Sequence, residues 1–166
     1  ENLAKQSGLL GLAQKHDFAL LVPQQSIENN IKRCFNWYSV NDYSKEEGEN
    51  LSIKNMIITL KNKLNSDNIY VLGLSAGGAM ASSLLVNYPD LFSAGAIVAG
   101  IPFPCADGLI TAISCMKNGP SQTAEELTSL VNKLNPTQKK WPKISIWTGS
   151  DDAIVNIIND SWKNLG

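Results

Sequence analysis

The amino-acid sequence predicts an α/β fold, a three-layer arrangement in which a parallel β-sheet carries helices on both faces. Short apolar runs typical of buried strands alternate along the chain with segments whose apolar residues recur at helical spacing. That alternation is the pattern of a parallel sheet whose strands are connected through helices. In addition, a serine flanked by glycines follows one of the apolar runs. Because substrates meet such sheets at the carboxyl ends of the strands, we expect the functional site there.

The size and composition of the chain indicate one globular domain over residues 1–166. A chain of 166 residues buries about two thirds of its unfolded surface around a single core. Its net charge of −1 provides no electrostatic basis for binding nucleic acid or an anionic membrane, so we predict neither partner. No apolar run approaches the roughly 20 residues that span a bilayer. The start at Glu1, without methionine or a basic-then-apolar leader, leads us to expect a mature or excised segment.

The N-terminal part of the chain predicts a helix, a strand and a long polar loop. Residues 1–15 carry leucines at helical spacing and predict an amphipathic helix, weakened by Gly8 and Gly11. Residues 18–22 form a continuous apolar run that ends at a proline, the pattern of a strand buried on both faces. Residues 23–50 are polar, and aromatic side chains in such a loop pin it down or line a pocket mouth. These aromatic residues are Phe35, Trp37, Tyr38 and Tyr43.

The central part of the chain predicts two helices and two strands. Helical spacing of apolar residues predicts a helix over 51–64, with Asn50 as its N-cap. A strand at 69–74 precedes the glycine-flanked serine, and a helix follows it to about residue 87, before a proline. Residues 93–100 predict another buried strand, whose small side chains suit close packing of a helix.

The C-terminal part of the chain predicts one further strand between helices. Residues 101–122, rich in proline and glycine, predict a loop with one helical turn near 108–116. Residues 123–134 predict a helix with acidic residues in its first turn, where the helix dipole favours them. Residues 144–147 predict a strand, and residues 154–165 predict a closing helix.

The three cysteines allow two interpretations. Cys105 and Cys115 are close enough in sequence to close a small loop, which would leave Cys34 without a partner in this chain. Alternatively, all three are buried thiols that act as small hydrophobic side chains. A metal site is disfavoured because the chain has one histidine and no C-x-x-C motif, so we predict no metal.

The segment around Ser75 matches the G-x-S-x-G pattern of a nucleophile elbow, a sharp turn between a strand and a helix. Glycines at 73 and 77 remove Cβ atoms that would collide with the neighbouring strand and helix. The turn aims the backbone N–H of Ala76 at the space beside the serine, so we predict it as an oxyanion donor. The glycine spacing fits neither a dinucleotide site nor a phosphate loop, so we predict no cofactor.

A nucleophilic serine needs an acid and a base, and the sequence offers only the acid. Asp151 and Asp152 follow a predicted strand downstream of Ser75, the position expected of an acid that orients a catalytic histidine, although such a pair also suits a solvated turn. His16 is the only histidine and precedes Ser75, the wrong chain order for this arrangement. We expect His16 to be a polar residue at a helix end. The base then lies beyond Gly166, or the protein is not a hydrolase.

Several motifs together resemble the secreted polyhydroxybutyrate depolymerase-like esterases, which are related to feruloyl and acetylxylan esterases within the α/β-hydrolases. The segment 71–81 resembles the lipase box of this family, and 34–37 resembles its Cys-aromatic-Asn-Trp element. Further similar segments cover most of the chain. They lie at residues 18–24, 88–96, 99–102 and 115–116.

The resemblance implies ester hydrolysis through an acyl-serine intermediate, without a cofactor and with Ser75 as nucleophile. The acid of the family lies in a Trp-x-Gly-x-x-Asp-x-x-Val pattern, which residues 147–155 match. This match selects Asp152 over Asp151. The family is secreted, so the resemblance implies an extracellular protein whose partner is an ester substrate.

The resemblance also implies that the α/β-hydrolase fold is incomplete at both ends of this chain. In the family, a His-Gly oxyanion segment should precede residue 1 and the general-base histidine should follow residue 166. A cysteine accompanies the upstream segment in relatives and would offer Cys34 a disulfide partner.

Two alternatives to the esterase hypothesis remain open at the level of sequence. One is a catalytically inactive hydrolase fold used for binding, and the other is a serine peptidase or thioesterase on the same fold. The sequence leaves the substrate open among polyesters, acylated sugars and small esters. We expect that choice to depend on pocket loops such as 24–50 and 101–122. The sequence does not indicate the oligomeric state.

Overall fold

The computed structural model of this protein describes residues 2–156. By its internal contacts the chain divides into two units, Glu1–Cys34 and Phe35–Gly166. That both units belong to one domain stays a prediction.

The first unit begins with two short helices, α1 (Asn2–Gln6) and α2 (Leu9–His16). Gly8 separates them with a left-handed backbone, at φ 77°, which only glycine adopts at little cost. Gly11 lies inside α2 without interrupting it. The prediction of one helix over 1–15 is therefore wrong at Ser7 and Gly8, where the helix is interrupted.

The strand predicted for residues 18–22 is absent from the described part of the chain, so this prediction is wrong. These residues have no regular secondary structure, and Phe18, Leu21 and Val22 are exposed. An apolar run becomes a strand only where a neighbouring strand satisfies its backbone hydrogen bonds, and the run itself does not reveal that neighbour. The loop that follows is held by Gln25, whose side-chain amide donates to the carbonyl of Cys34 at 3.2 Å.

The second unit is built on a parallel sheet of three strands, β1 (Tyr70–Leu74), β2 (Ala94–Val98) and β3 (Lys143–Trp147), in that spatial order. The strands confirm the predictions at 69–74, 93–100 and 144–147. In the register of the sheet, Leu74, Val98 and Trp147 are aligned. The segments that follow the three strands therefore leave from the same edge.

Helix α5 (Ala76–Asn87) is the centre of the hydrophobic core. It packs against β1 and β2 on one side and against α3 (Val40–Tyr43), α4 (Gly48–Leu64) and α7 (Ala124–Leu134) on the other. Ten of its 12 residues are buried, so its exterior is apolar or small all round. Gly95 of β2 allows this close packing, because a Cβ there would meet the side chain of Leu85.

The two faces of the sheet differ in the described residues of the second unit. Gly73 and Ile97 face α5 and are buried. The opposite face carries Tyr70, Leu72 and Trp147, which are 68%, 49% and 63% exposed. Helices thus cover one face of the parallel sheet, and cover on the second face stays a prediction.

Asn50 lies inside α4 and is not its N-cap, so that prediction is wrong. The helix starts at Gly48, and Asn50 is completely buried. Its amide donates to the carbonyl of Tyr43 at 2.7 Å and to the hydroxyl of Ser83 at 2.8 Å. Asn87 donates to the same Tyr43 carbonyl at 2.9 Å. These bonds fasten the end of α3 to α4 and α5.

Several aromatic side chains of the loops pin the chain by packing. Trp37 is 8% exposed and belongs to the core of the second unit. Phe103 is equally buried and meets the ring of Tyr43 edge-on, with centroids 5.1 Å apart. Of the two roles that the sequence allowed for these aromatics, the structure supports the first.

The cysteines form one disulfide, between Cys105 and Cys115, and Cys34 is free and exposed. Both bonded cysteines are buried. In the chain-entropy account, closing a loop of this length stabilises the fold by roughly 3 kcal/mol. Cys115 lies on α6 (Leu109–Asn118), which is longer than the single turn predicted near 108–116.

The remaining predictions concern the two C-terminal helices. The helix predicted for 123–134 is confirmed by α7, which begins at a capping box: the Thr123 hydroxyl accepts from Glu126 N–H, and the Glu126 carboxylate accepts from Thr123 N–H. Of the helix predicted for 154–165, residues 154–156 are not helical and the others lie outside the described residues. No helix among residues 2–156 is long and apolar enough to cross a membrane.

Candidate active site

Ser75 occupies a strained turn between β1 and α5. Its backbone has φ 55° and ψ −121°, a combination that a side-chain-bearing residue rarely adopts. The surrounding structure holds it there: Ser75 N–H donates to the carbonyl of Val98 at 2.9 Å, and Ala79 N–H donates to the carbonyl of Ser75 at 3.0 Å. The side chain is exposed and makes no capping bond to the helix. The hydroxyl is therefore presented outward at the strand ends.

Only one of the two glycines flanking Ser75 is sterically required. A Cβ at Gly73 would overlap the backbone of Gly77 and Gly78, as predicted. A Cβ at Gly77 would meet nothing within 4 Å among the described residues, so the prediction for Gly77 is wrong. The second close approach is at Gly78 instead, where a Cβ would lie 3.0 Å from the Cα of Gly100. The requirement at Gly78 could have been found from the sequence, because a second glycine follows Gly77. The G-x-S-x-G pattern does not include that position.

The two glycines make a matched pair of substitutions. Because backbone atoms cannot move aside as a side chain can, we expect Gly73→Ala to lower the free energy of unfolding by roughly 3 kcal/mol. Gly77→Ala places alanine in the first turn of α5, where helix propensity favours it by up to about 1 kcal/mol. Chemical denaturation followed by circular dichroism measures both. Equal destabilisation by the two variants would contradict the steric difference between the sites.

Ala76 is the first residue of α5, next to the Ser75 side chain. The first N–H groups of a helix have no acceptor within the helix, and they form the positive end of its dipole. Ala79 N–H already bonds to the carbonyl of Ser75, so the N–H groups of residues 76–78 precede the first intrahelical bond. An anion that forms beside Ser75 would therefore meet N–H donors. The role of Ala76 as an oxyanion donor stays a prediction.

Asp152 lies in the loop after β3, with its carboxylate held by its own turn. One oxygen accepts from the N–H of Ile154 at 2.8 Å and from that of Val155 at 3.0 Å. These two bonds, that of Val155 first, hold the pKa of Asp152 below its ordinary value. The group is thus ionised at neutral pH, and its stabilising contribution is lost only on acidification through the lowered pKa. Asp151 is exposed, and its carboxylate is 3.5 Å from the hydroxyl of Ser150.

The sheet brings Ser75 and Asp152 to one edge without joining them. Ser75 follows the end of β1, Asp152 follows the end of β3, and β2 lies between. Strands separated by one neighbour are roughly 10 Å apart. No hydrogen bond between Ser75 and Asp152 occurs in the described structure.

Ala99, which sequence reasoning did not single out, shapes the same edge. It has a left-handed backbone, at φ 46°, which is unusual for a residue with a side chain. Its N–H donates to the carbonyl of Trp147 at 2.8 Å, so it ties the end of β2 to that of β3. The next residue, Gly100, is the one that approaches Gly78. The sequence Ala99-Gly100 gives no sign that the backbone of Ala99 is strained.

His16 is the last residue of α2, where it is exposed at the helix end as predicted. In the described part of the chain, no group of three or more histidine, cysteine, aspartate or glutamate side chains is arranged to hold a metal ion.

Comparison with known proteins identifies the family. The model of the PHB depolymerase esterases matches residues 1–159, nearly the whole chain. The chain belongs to this esterase family. Among its curated relatives, poly(3-hydroxyalkanoate) depolymerase C of Paucimonas lemoignei is 37% identical over 158 residues, which cover 93% of this chain and 38% of that protein. The family resemblance inferred from the sequence motifs is confirmed.

Other curated relatives that the chain matches have different names. Feruloyl esterase B of Talaromyces stipitatus is 27% identical over 87% of this chain and 42% of its own. Acetylxylan esterase A of Aspergillus oryzae is 29% identical over 87% of this chain and 49% of its own. The chain thus spans between two fifths and half of the length of these relatives.

A solved structure confirms the fold. The acetyl xylan esterase of Aspergillus awamori superposes on 76% of this chain and 50% of its own with a TM-score of 0.70, at 23% sequence identity. At that identity the likeness concerns the fold, which is α/β with a parallel sheet, as predicted.

Proposed function

We propose that this chain is the core of a serine carboxylic ester hydrolase that acts through an acyl-serine intermediate. The observation that carries the proposal is the strained, outward-facing Ser75 at the start of α5 in a chain of the esterase family. Backbone strain persists only where surrounding contacts enforce it, and it concentrates at functional sites. The hydroxyl of Ser75 has no capping role that would explain the turn.

In the proposed reaction, the Ser75 oxygen attacks the ester carbonyl while its proton passes to a base. The carbonyl oxygen becomes an oxyanion, and the N–H of Ala76 donates to it. Collapse of this tetrahedral intermediate breaks the bond to the alcohol, which leaves with the proton from the base. Water then attacks the acyl-serine in the same way and releases the acid, so Ser75 is regenerated.

Asp152 is proposed as the acid that orients the base. Its carboxylate is anionic at neutral pH, as aspartates ordinarily are, and its own turn lowers its pKa further, so it can stabilise a charged imidazole. Ser75 follows β1 and Asp152 follows β3, with one strand between them, so both residues leave the same edge of the sheet, where a base could bond to both. His16 is the one histidine of this sequence and precedes Ser75, so we propose a base outside residues 1–166.

The proposed substrate class is a carboxylic ester in the extracellular space. The relatives are named for a poly(3-hydroxyalkanoate), a feruloyl ester and an acetylated xylan, and an ester bond is common to all three. The buried Cys105–Cys115 disulfide supports secretion, because such bonds persist in oxidising compartments. Rates on a polyester film, acetylated xylan and a feruloylated sugar would rank the three substrates.

Covalent labelling with a fluorophosphonate tests the proposal in the full-length protein. An activated serine attacks this reagent, whereas ordinary serines do not. We expect one adduct, located by peptide mass spectrometry at Ser75. Ser82 and Ser83 lie on the same helix, completely or almost completely buried, and are internal controls that stay unmodified. Labelling at another serine in place of Ser75, or hydrolysis that persists after Ser75 is completely labelled, would contradict the assignment.

A further inference from the structure

The loop that carries Asp152 is fastened to the protein at the residues just after the acid. We call residues 152–156 the acid loop. Val155 is 3% exposed and belongs to the hydrophobic core of the second unit. Asn156 makes two hydrogen bonds to another element, the C-terminal end of α6. Its backbone N–H donates to the carbonyl of Met116 at 2.9 Å, and its side-chain amide donates to the carbonyl of Lys117 at 3.1 Å.

The end of α6 is itself held by a disulfide and by a hydrogen bond that closes the helix. Cys115 immediately precedes the two residues that accept the bonds of Asn156, and its disulfide joins it to Cys105 in the segment after β2. Gly119 N–H closes the helix on the carbonyl of Cys115 at 2.9 Å. The acid loop therefore rests on a helix end that is covalently tied to the segment after β2. The last carbonyls of a helix need donors from outside it, and Asn156 supplies two.

We propose that Asn156 is a positioning residue that holds the Asp152 carboxylate in its catalytic orientation; this rests on the proposed role of Asp152. The hydrogen bonds of Asp152 go to Ile154 and Val155, within its own turn. Those bonds fix the carboxylate relative to the loop but not relative to the sheet. The attachment of Asn156 to α6 fixes the loop itself. Asn156 acts through Asp152 and has no contact with the reacting atoms.

The expected effect is on turnover rather than on substrate binding. Displacement of a catalytic group by about 1 Å can lower the rate up to about 100-fold. The substitution Asn156→Ala removes the bond to Lys117 and keeps the backbone bond to Met116, so we expect kcat to fall about tenfold. We expect KM to stay within about twofold, because the acid loop contributes no group to the proposed oxyanion site. Asn156 is exposed, so the variant should still fold, and we expect the loss of one hydrogen bond to lower its melting temperature only slightly.

A double-mutant cycle in the full-length protein tests the proposal. The variants are Asn156→Ala, Asp152→Asn and their combination, and the readout is kcat on a short-chain chromogenic ester. If Asn156 acts through Asp152, the double variant should be no slower than Asp152→Asn alone. Independent, multiplicative losses would overturn the proposal, as would an unchanged kcat in Asn156→Ala.

A matched control separates positioning from general damage to the helix end. Asn118 also lies at the end of α6, is exposed, and has its amide 3.5 Å from the hydroxyl of Ser114 on the same helix. We expect Asn118→Ala to keep full kcat, and a loss equal to that of Asn156→Ala would overturn the specific role of Asn156. Failure of the proposed function has a different signature. In that case Asp152→Asn itself would retain activity, whatever Asn156→Ala does.

Discussion

Replacement of Ser75 by alanine in the full-length protein should abolish hydrolysis of a short-chain chromogenic ester. Removing the nucleophile of a serine triad lowers kcat on the order of 10⁶-fold, since the remaining site can only bind and polarise the ester. The fold should survive. The Ser75 hydroxyl is exposed and makes no capping bond, and its strained backbone is held by bonds through Val98 and Ala79 that alanine keeps. Rates at saturating ester, beside a melting curve, measure both effects.

Ser82→Ala is the matched control for this prediction. Ser82 lies two turns further along α5, is 1% exposed, and its hydroxyl has no hydrogen-bond partner in the described structure. Its removal leaves no buried partner unsatisfied, so activity should be unchanged. Activity retained by Ser75→Ala would refute the nucleophile assignment. Loss of activity in both variants would instead indicate damage to α5.

The second large effect is expected at Asp152. We expect Asp152→Asn to lower kcat roughly 10⁴-fold, the loss seen when the acid of a triad becomes an amide. The new amide oxygen can still accept from the N–H groups of Ile154 and Val155, so the turn should persist while the charge is lost. Steady-state kinetics with a melting curve separates the two consequences.

Asp151→Asn is the neighbouring control for the acid. Asp151 is exposed, and none of the described hydrogen bonds connects its carboxylate to the turn after Asp152. Its replacement should change kcat by less than about threefold, as expected for a surface substitution. A larger loss from Asp151→Asn than from Asp152→Asn would show that the acid is the other residue of the pair.

Much of the second unit was predictable because its signals are local. The apolar runs of β1, β2 and β3, the proline after α5 and the capping box of α7 each act within a few residues of chain. Ser75 was predictable for the same reason, since the elbow is a turn whose residue types are set by its own backbone. The prediction of Asp152 required more than local chemistry, because its neighbour Asp151 has the same side chain. Only the family pattern distinguishes the two residues.

The sequence by itself determined the order of the three strands of the sheet, the elbow at Ser75 and the family. Only the tertiary structure decided what depends on a distant partner. Residues 18–22 are apolar enough for a strand, but no strand pairs with them in the described structure. Asn50 could cap a helix, but its amide is buried and donates hydrogen bonds to the Tyr43 carbonyl and the Ser83 hydroxyl. The support of Asp152 by α6 joins residues about 40 positions apart, and such contacts follow from packing, which no local pattern encodes.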